Sequence, residues 1–355
     1  MKNILNFTKK ELCLWLDKNK IRSFRADQIF KWLYIKQADS FNQMTDISKQ
    51  TRSLIKNHFY IERLEIADKK ISKDGTQKFL FGLKDGLYIE SVLILEKDHY
   101  TICVSSQVGC AQNCKFCLTA KKGFKRNLKV FEIISQIRDA RFYLTQKNID
   151  STKLSNIVFM GMGEPLANYN NLIKALTIIT DHNYGLKFSP RRVTVSTAGL
   201  IPKIKQLGKD SDVNLAISLN AVDNDLRSFL MPVNKKYPLK ELLETCKIFP
   251  LKPRNRITFE YVIIKDINDK EEDAYALIKL LSKIKSKLNL ILFNECDKID
   301  FLRPSQQKAN KFLQILLDNK VLAIIRKSKG NDILAACGQL EAKRRSYEQK
   351  HCEKN

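Results

Sequence analysis

Between residues 78 and 106 the apolar positions fall in short runs, Phe79-Leu80-Phe81-Gly82-Leu83, 87–95 and 100–105, separated by the turn signals Asp85-Gly86 and Lys97-Asp98. Runs of this length and composition predict strands. Upstream, from Phe7 to about Phe59, apolar residues recur at helical spacing, as in Leu12, Trp15 and Leu16 and again in Ile29, Phe30, Leu33 and Tyr34, which predicts a small helical module. Downstream the two patterns alternate. Helices are expected over 130–146, 171–180, 239–249, 271–284 and 306–317, and strands over 156–160, 192–196, 214–219, 257–264, 288–294 and 321–325. Strands spaced by helices imply parallel crossover units, and their number predicts an α/β fold built on a partial or complete β/α barrel. The chain then divides into a helical module (1–60), a connecting β segment (61–99), the barrel (100–335) and a C-terminal loop with a basic tail (336–355).

Composition narrows the class. The 355 residues are 44% hydrophobic and 28% charged, as in a globular protein of about two domains. The first 20 residues are interrupted by Lys2, Lys9, Lys10, Glu11, Asp17 and Lys18, so they offer no signal-peptide core. No apolar run approaches the ~20 residues that span a bilayer, and a cytoplasmic location is expected. The net charge is +25, and residues 1–60 carry 12 Lys and Arg against 5 Asp and Glu. The tail at Lys343, Arg344 and Arg345 is basic again. Such a field concentrates polyanions, so RNA or DNA is the expected partner rather than a membrane surface. Phe24 to Leu33 places basic and aromatic side chains on one short helix, where Phe30 and Trp32 read first as core.

The candidate chemistry centres on Val104-Ser105-Ser106-Gln107-Val108-Gly109-Cys110-Ala111-Gln112-Asn113-Cys114-Lys115-Phe116-Cys117, a Cys-x3-Cys-x2-Cys loop directly after an apolar run. Three thiolates this close suit one soft metal centre. A four-iron cluster held by Cys110, Cys114 and Cys117 keeps one iron open for a non-protein ligand. The alternative is a zinc knuckle in a non-enzymatic nucleic-acid binder; His99 is the only nearby histidine, and no second metal-binding pair follows at zinc-finger spacing. Barrel chemistry sits at the C-terminal ends of strands. Four such ends are polar: Gly161-Met162-Gly163-Glu164-Pro165, Ser196-Thr197-Ala198-Gly199, Ser218-Leu219-Asn220 and Asn294. Together they form a ring suited to an amino acid and a ribose. The nine cysteines lack the density of a disulfide scaffold. Cys103 precedes the loop and reads as a buried strand residue, while Cys337 lies in a small-residue setting. Cys13, Cys246, Cys296 and Cys352 have no chemical context. Glu90, among apolar neighbours, is either an outward-facing strand residue or an acid/base group, and the residues alone favour the first.

The cysteine loop resembles that of the radical S-adenosylmethionine (SAM) superfamily. Further stretches resemble the RlmN family over 24–340: Ser105-Ser106-Gln107-Val108-Gly109-Cys110, Phe159-Met160-Gly161-Met162-Gly163-Glu164-Pro165, Arg191-Arg192-Val193-Thr194-Val195-Ser196-Thr197, Met231-Pro232-Val233-Asn234-Lys235-Lys236-Tyr237 and Ala335-Ala336-Cys337-Gly338-Gln339-Leu340. This resemblance implies a radical SAM barrel and a [4Fe-4S] cluster on Cys110, Cys114 and Cys117. It implies SAM contacts from Gly163, Glu164, Ser196, Ser218, Leu219, Asn220 and Asn294. The implied reaction is methylation of carbon 2 of an adenine in 23S rRNA and in tRNAs, consuming two SAM per turnover. Cys337 would carry the methyl group, Glu90 would accept a proton and Cys103 would resolve the product, leaving a Cys103–Cys337 disulfide. An electron donor such as a flavodoxin-type protein, a disulfide reductant and a monomeric state are implied as well. One departure stands at Asn220, where the family usually has His. A sister family that methylates carbon 8 shares most of these motifs, and the Gly-Glu-Pro form at 163–165 resembles the carbon 2 enzymes better. The remaining alternative is a radical SAM enzyme acting on a protein or a small molecule.

Overall fold

The computed structural model describes residues 1–342; Lys343, Arg344, Arg345 and Cys352 lie outside the described residues. A single ten-stranded sheet organises the chain. In spatial order its strands are Ala323–Arg326, Ser286–Leu292, Ile257–Ile263, Asn214–Ser218, Val193–Thr197, Leu154–Phe159, Tyr100–Cys103, Tyr88–Leu95, Gln77–Gly82 and Glu65–Ile71. The first seven are parallel and the last three antiparallel. The two outermost strands do not pair with each other, so the barrel is partial. Residues 61–99, expected as a connecting segment, supply three strands of that same sheet.

Along much of the parallel sheet, core-facing apolar side chains alternate with residues that face the barrel interior, most of them polar, with Val158, Val262 and Ile291 among the exceptions. Ile102, Ile157, Val193, Val195, Leu215, Ile217, Phe259, Leu288 and Leu290 are fully buried, packed in one core with Ile133 and Ile137 of helix Val130–Gln146, Leu172, Leu207, Leu277 and Phe312. Each such side chain contributes about 1.5–3 kcal/mol. The intervening residues, Thr101, Cys103, Thr194, Ser196, Ser218, Thr258, Glu260, Lys287 and Asn289, face the barrel interior and line cavities. Parallel strands covered on both faces usually read as unbroken apolar runs. Here the period of two records an interior that is hollow and polar.

The N-terminal module comprises helices Lys9–Lys18, Arg25–Phe30, which runs on through the wider turn Lys31–Ile35, and Lys49–His58. Thr8 and Glu11 cap the first reciprocally. Phe30 is core, as expected, and the half-buried Trp32 donates to Asp46 Oδ1 at 2.6 Å while Lys36 stacks on its ring at 3.6 Å. The module is tied to the barrel by Asn6 Oδ1, which accepts from Phe131 N at 3.0 Å, and by the Lys174–Glu11 pair. Among the described residues no helix is long and apolar enough to cross a membrane.

Candidate active site

The cysteine loop leaves the C-terminal end of strand Tyr100–Cys103 and is tied on both sides. Val104 N donates to Val158 O at 2.9 Å and Ser106 N to Met162 O at 2.8 Å, while Gln107 Oε1 accepts from Glu164 N at 2.8 Å. The short strand Gln107–Val108 pairs with Arg126–Asn127. Buried Gln136 holds Ser105 through two bonds, accepting from its N at 2.7 Å and donating to its O at 3.0 Å. Gly109 has φ +72° and a Cβ there would sit 1.8 Å from Gly123 O, so only glycine closes the loop. The Ser-Ser-Gln-Val-Gly motif is thus the scaffold that fixes where the thiols stand.

Cys110, Cys114 and Cys117 line one wall of a cavity of about 170 Å³ at the barrel mouth, with Gly163, Glu164, Ser196, Ser218, Asn220, Asn294 and Cys337 around it. Burial raises all three thiols, Cys110 to about 12, and the repulsion of Cys114 by Cys117 and Cys110 adds to it. Bare thiolates are disfavoured here; a cationic iron cluster held by these three residues would displace the protons and reverse this. No histidine lines the cavity. His99 lies at the opposite end of strand Tyr100–Cys103, about 15 Å along the chain from the loop, and its Nδ1 is bound to Asp98 at 2.7 Å. Among the described residues no three His, Cys, Asp or Glu side chains close round a single ion. Three soft donors with no histidine among the lining residues suit a polynuclear cluster with one open iron better than a mononuclear zinc site.

Glu164 faces the thiols. It is 3% exposed and accepts from Ala198 N at 2.8 Å and Leu166 N at 3.0 Å. Burial pushes its carboxyl up to about 7 in spite of those bonds. Gly163 has φ +95° and a Cβ there would lie 2.4 Å from Gln107 Cβ, so the Gly-Glu turn can approach the loop only as glycine. Asn294 is 4% exposed, donates to Cys337 O at 3.3 Å and leaves its Oδ1 without a protein partner. An amino-acid ligand would satisfy that acceptor.

The other expected residues divide. Leu219 does not line the cavity: its side chain is fully buried in the core and its carbonyl accepts from Arg227 Nε at 3.1 Å. Asn220 does line it, but its side chain is engaged in the scaffold, with Val262 N donating to Oδ1 at 2.8 Å. Its backbone is left-handed, φ +60°, a conformation that Asn tolerates well. Glu90 is not the outward-facing residue that its neighbours suggested. It points inward, 5% exposed, pairs with Lys78 at 3.0 Å and accepts from Glu341 N at 2.8 Å. It lines a separate cleft of about 410 Å³ with Lys78, Leu334, Gln339 and Glu341.

Cys337 rides on a C-terminal segment strapped across the mouth. Leu118 N donates to Gly338 O at 2.8 Å, Thr119 Oγ1 to Leu340 O at 2.7 Å and Lys78 Nζ to Leu334 O at 2.9 Å. The thiol is open to cavity space yet ringed by protein, and desolvation pushes it up to about 11. A second cavity of about 370 Å³ lies deeper in the barrel and is lined by both Cys337 and Cys103. Cys103 is itself raised by burial and then by repulsion from Cys337.

Arg227 escaped the sequence reading altogether. It is fully buried and donates to Leu219 O at 3.1 Å, Asn234 Oδ1 at 2.9 Å, Ala198 O at 2.8 Å and Ser218 O at 3.1 Å. One guanidinium thereby clamps the ends of the strands that carry Ser196 and Ser218.

Comparison with known proteins agrees with this geometry. Residues 2–61 match the ribosomal RNA large subunit methyltransferase N-terminal domain, and residues 104–278 match the radical SAM superfamily. The dual-specificity RNA methyltransferase RlmN of Desulfosudis oleivorans is 53% identical over 98% of this chain and 92% of its own length. That of Geotalea uraniireducens is 48% identical over 96% of this chain and 97% of its own. A crystal structure of a radical SAM methyltransferase from Sphaerobacter thermophilus superposes with a TM-score of 0.89 at 38% identity, covering 97% of this chain and 100% of that one. Similarity at about 50% identity over nearly the whole chain, with both family models matched, places it in the RlmN family of radical SAM RNA methyltransferases.

Proposed function

We propose that this enzyme, which uses a [4Fe-4S] cluster and SAM, methylates carbon 2 of an adenine in 23S rRNA and in tRNAs, with the methyl group carried on Cys337 and two SAM consumed per turnover. Cys110, Cys114 and Cys117 hold the cluster, and Gly163, Glu164, Ser196, Ser218, Asn220 and Asn294 hold SAM, with Leu219 contributing backbone only. When bound, the cluster supplies the electron that turns SAM into a radical source. Carbon 2 of adenine lies between two ring nitrogens and is too electron-poor to attack a methyl donor, so the methyl has to be delivered from a protein sulfur. Cys337 accepts the methyl by displacement, which requires its thiolate. The base is extruded from its RNA context to reach this sulfur, while the basic helices of residues 1–60 hold phosphates.

Release uses Glu90 as proton acceptor and Cys103 as the resolving thiol, leaving a Cys103–Cys337 disulfide to be reduced. The observation that carries this reading is the position of Cys337, which lines both the cavity of the cluster cysteines and the cavity of Cys103. For Glu90 to act, the bond from Glu341 N has to open and the C-terminal strap has to shift. The test is mass spectrometry of the Cys337 peptide from protein made with a methyl-labelled SAM pool, followed by analysis of the methylated adenosine. A labelled methyl on Cys337 and 2-methyladenosine are expected. An unmodified thiol in active protein refutes the carrier role, and 8-methyladenosine would assign the sister activity.

A further inference from the structure

The deeper cavity has a use that the reaction steps leave open. Its lining traces back to the N-terminal ends of the parallel strands: Thr101, Thr194, Thr258 and Lys287 each stand at the first or second position of their strands. The register confirms the level, with Thr258 beside Lys287. The cavity therefore spans the height of the barrel, from the thiols and the C-terminal end of strand Ala323–Arg326 down to this level, where no cluster cysteine lines it. Cys103 lines this cavity and not the mouth cavity, whereas Cys337 lines both. A solute that must reach the Cys103 sulfur has its path through the barrel interior.

We propose that this cavity binds a low-molecular-weight anionic thiol that reduces the Cys103–Cys337 disulfide from the side opposite the RNA; this rests on the functional reading above. The charge favours an anion. Lys287 at the N-terminal strand ends and Arg326, Lys327 and Lys329 at and just past the C-terminal end of strand Ala323–Arg326 line the cavity against Glu96 and Glu260, and Asn289 Nδ2 holds Glu260 Oε1 at 2.8 Å. Ser328 Oγ, also in the lining, is buried with no protein partner. About 370 Å³ admits a small thiol and excludes a folded dithiol protein. In the first step a small thiolate attacks one sulfur of the pair, forming a mixed disulfide and releasing the other cysteine as a thiolate that takes up a proton. A second small thiolate attacks the sulfur of the small molecule in that mixed disulfide. It frees the remaining cysteine and leaves as the symmetrical disulfide, so two electrons enter the protein and two small thiols are oxidised.

The experiment uses cluster-loaded full-length protein whose cluster has been reduced beforehand and in which the disulfide has been formed by one turnover on tRNA with no thiol present. Its reduction is followed by non-reducing peptide mass spectrometry with mercaptoethanesulfonate, 2-mercaptoethanol or cysteamine, each rate normalised to that thiol's rate on a small model disulfide. The expected order is anionic, then neutral, then cationic, spanning about tenfold or more, and collapsing at high salt. Lys287→Glu, at the end of the barrel remote from RNA, should slow the anionic thiol several-fold and leave the neutral one unchanged. Saturating tRNA should leave all three rates within about twofold, whereas a block by tRNA means that thiols come through the mouth and overturns the proposal. Equal normalised rates, equal slowing of all three thiols by Lys287→Glu, or reduction by a protein dithiol alone would do the same. If no disulfide forms at all, the functional reading falls with it; if it forms and shows no charge order, only this inference falls.

Discussion

Removing Arg227 tests whether a single buried cation positions the SAM-facing strand ends. The guanidinium is fully buried, no carboxylate among the described residues pairs with it, and desolvation lowers it to about 10. From an ordinary 12.5, that drop corresponds to a burial cost of about 3 kcal/mol. Against this stand four hydrogen bonds from a charged donor, each worth about 1.5–3 kcal/mol. The bonds win, and Arg227→Met leaves three carbonyls and Asn234 Oδ1 without this donor. Loss of about 3–5 kcal/mol is expected, the range for stripping a partner from a buried charged network. Arg227→Lys keeps the charge but cannot span four acceptors, so it should lose about half as much. Urea unfolding of the cluster-free protein reads the stability, and calorimetric titration with SAM reads the site. SAM affinity should fall at least about tenfold in Arg227→Met, because the carbonyls of Ala198 and Ser218 that it clamps belong to the segments carrying Ser196 and Ser218. An Arg227→Met protein within about 1 kcal/mol of wild type, or one with undiminished SAM affinity, would refute the clamp.

Alanine at Cys110, Cys114 or Cys117 should abolish the brown chromophore and the bound iron and sulfide, measured after anaerobic reconstitution, while Cys337→Ala should retain them. Gly163→Ala should retain the cluster and lose SAM affinity, because the added Cβ would meet Gln107 Cβ at 2.4 Å. Glu164 makes a pH prediction. Its folded carboxyl stands at about 7, above an ordinary 4.5, so between those values the folded state binds more protons than the unfolded one, and stability falls as pH rises through that window. Thermal melts of the cluster-free protein from pH 4.5 to 8 should show Glu164→Gln losing less stability than wild type across it, by about 3 kcal/mol; a parallel pair of curves would contradict the assignment. Lys78→Met strands the buried Glu90 carboxylate and should cost about 3 kcal/mol in urea unfolding, with Glu90→Gln in the same chain recovering part of it.

Much of the architecture was written in local pattern. Helix Val130–Gln146 begins and ends where its periodicity predicts, and the six later parallel strands fall within two residues of their expected bounds. Helix Ile201–Asp210 was passed over, although Ile201, Ile204 and Leu207 at helical spacing and a proline in its first turn mark it. Strand Glu65–Ile71 was missed for a different reason. Of its six pairs of adjacent residues only Ile66-Ala67 is apolar, and as an exposed edge strand its place depends on pairing with Gln77–Gly82 rather than on burial.

The metal centre was legible because three thiols within eight residues are a local feature. So was the polar ring, because each strand end carries its polar residues immediately after its apolar run. What no local pattern contains is which distant side chains share a cavity. The buried pairing of Glu90 with Lys78 arises from antiparallel strands, and the meeting of Cys337 with Cys103 needs the chain's last described segment to return over the mouth. Arg227 looked like one more charge on a basic protein until four acceptors from separate segments converged on it. The alternation Thr258, Glu260 and Lys287, Asn289 stood in the sequence as a period of two, but a hollow barrel and a half-solvated sheet produce the same period. Sequence by itself determined most of the elements and the family, and it nominated the cluster ligands. Tertiary structure decided the enclosure, because cavities and buried charge networks depend on contacts between segments whose spacing along the chain carries no information about their distance.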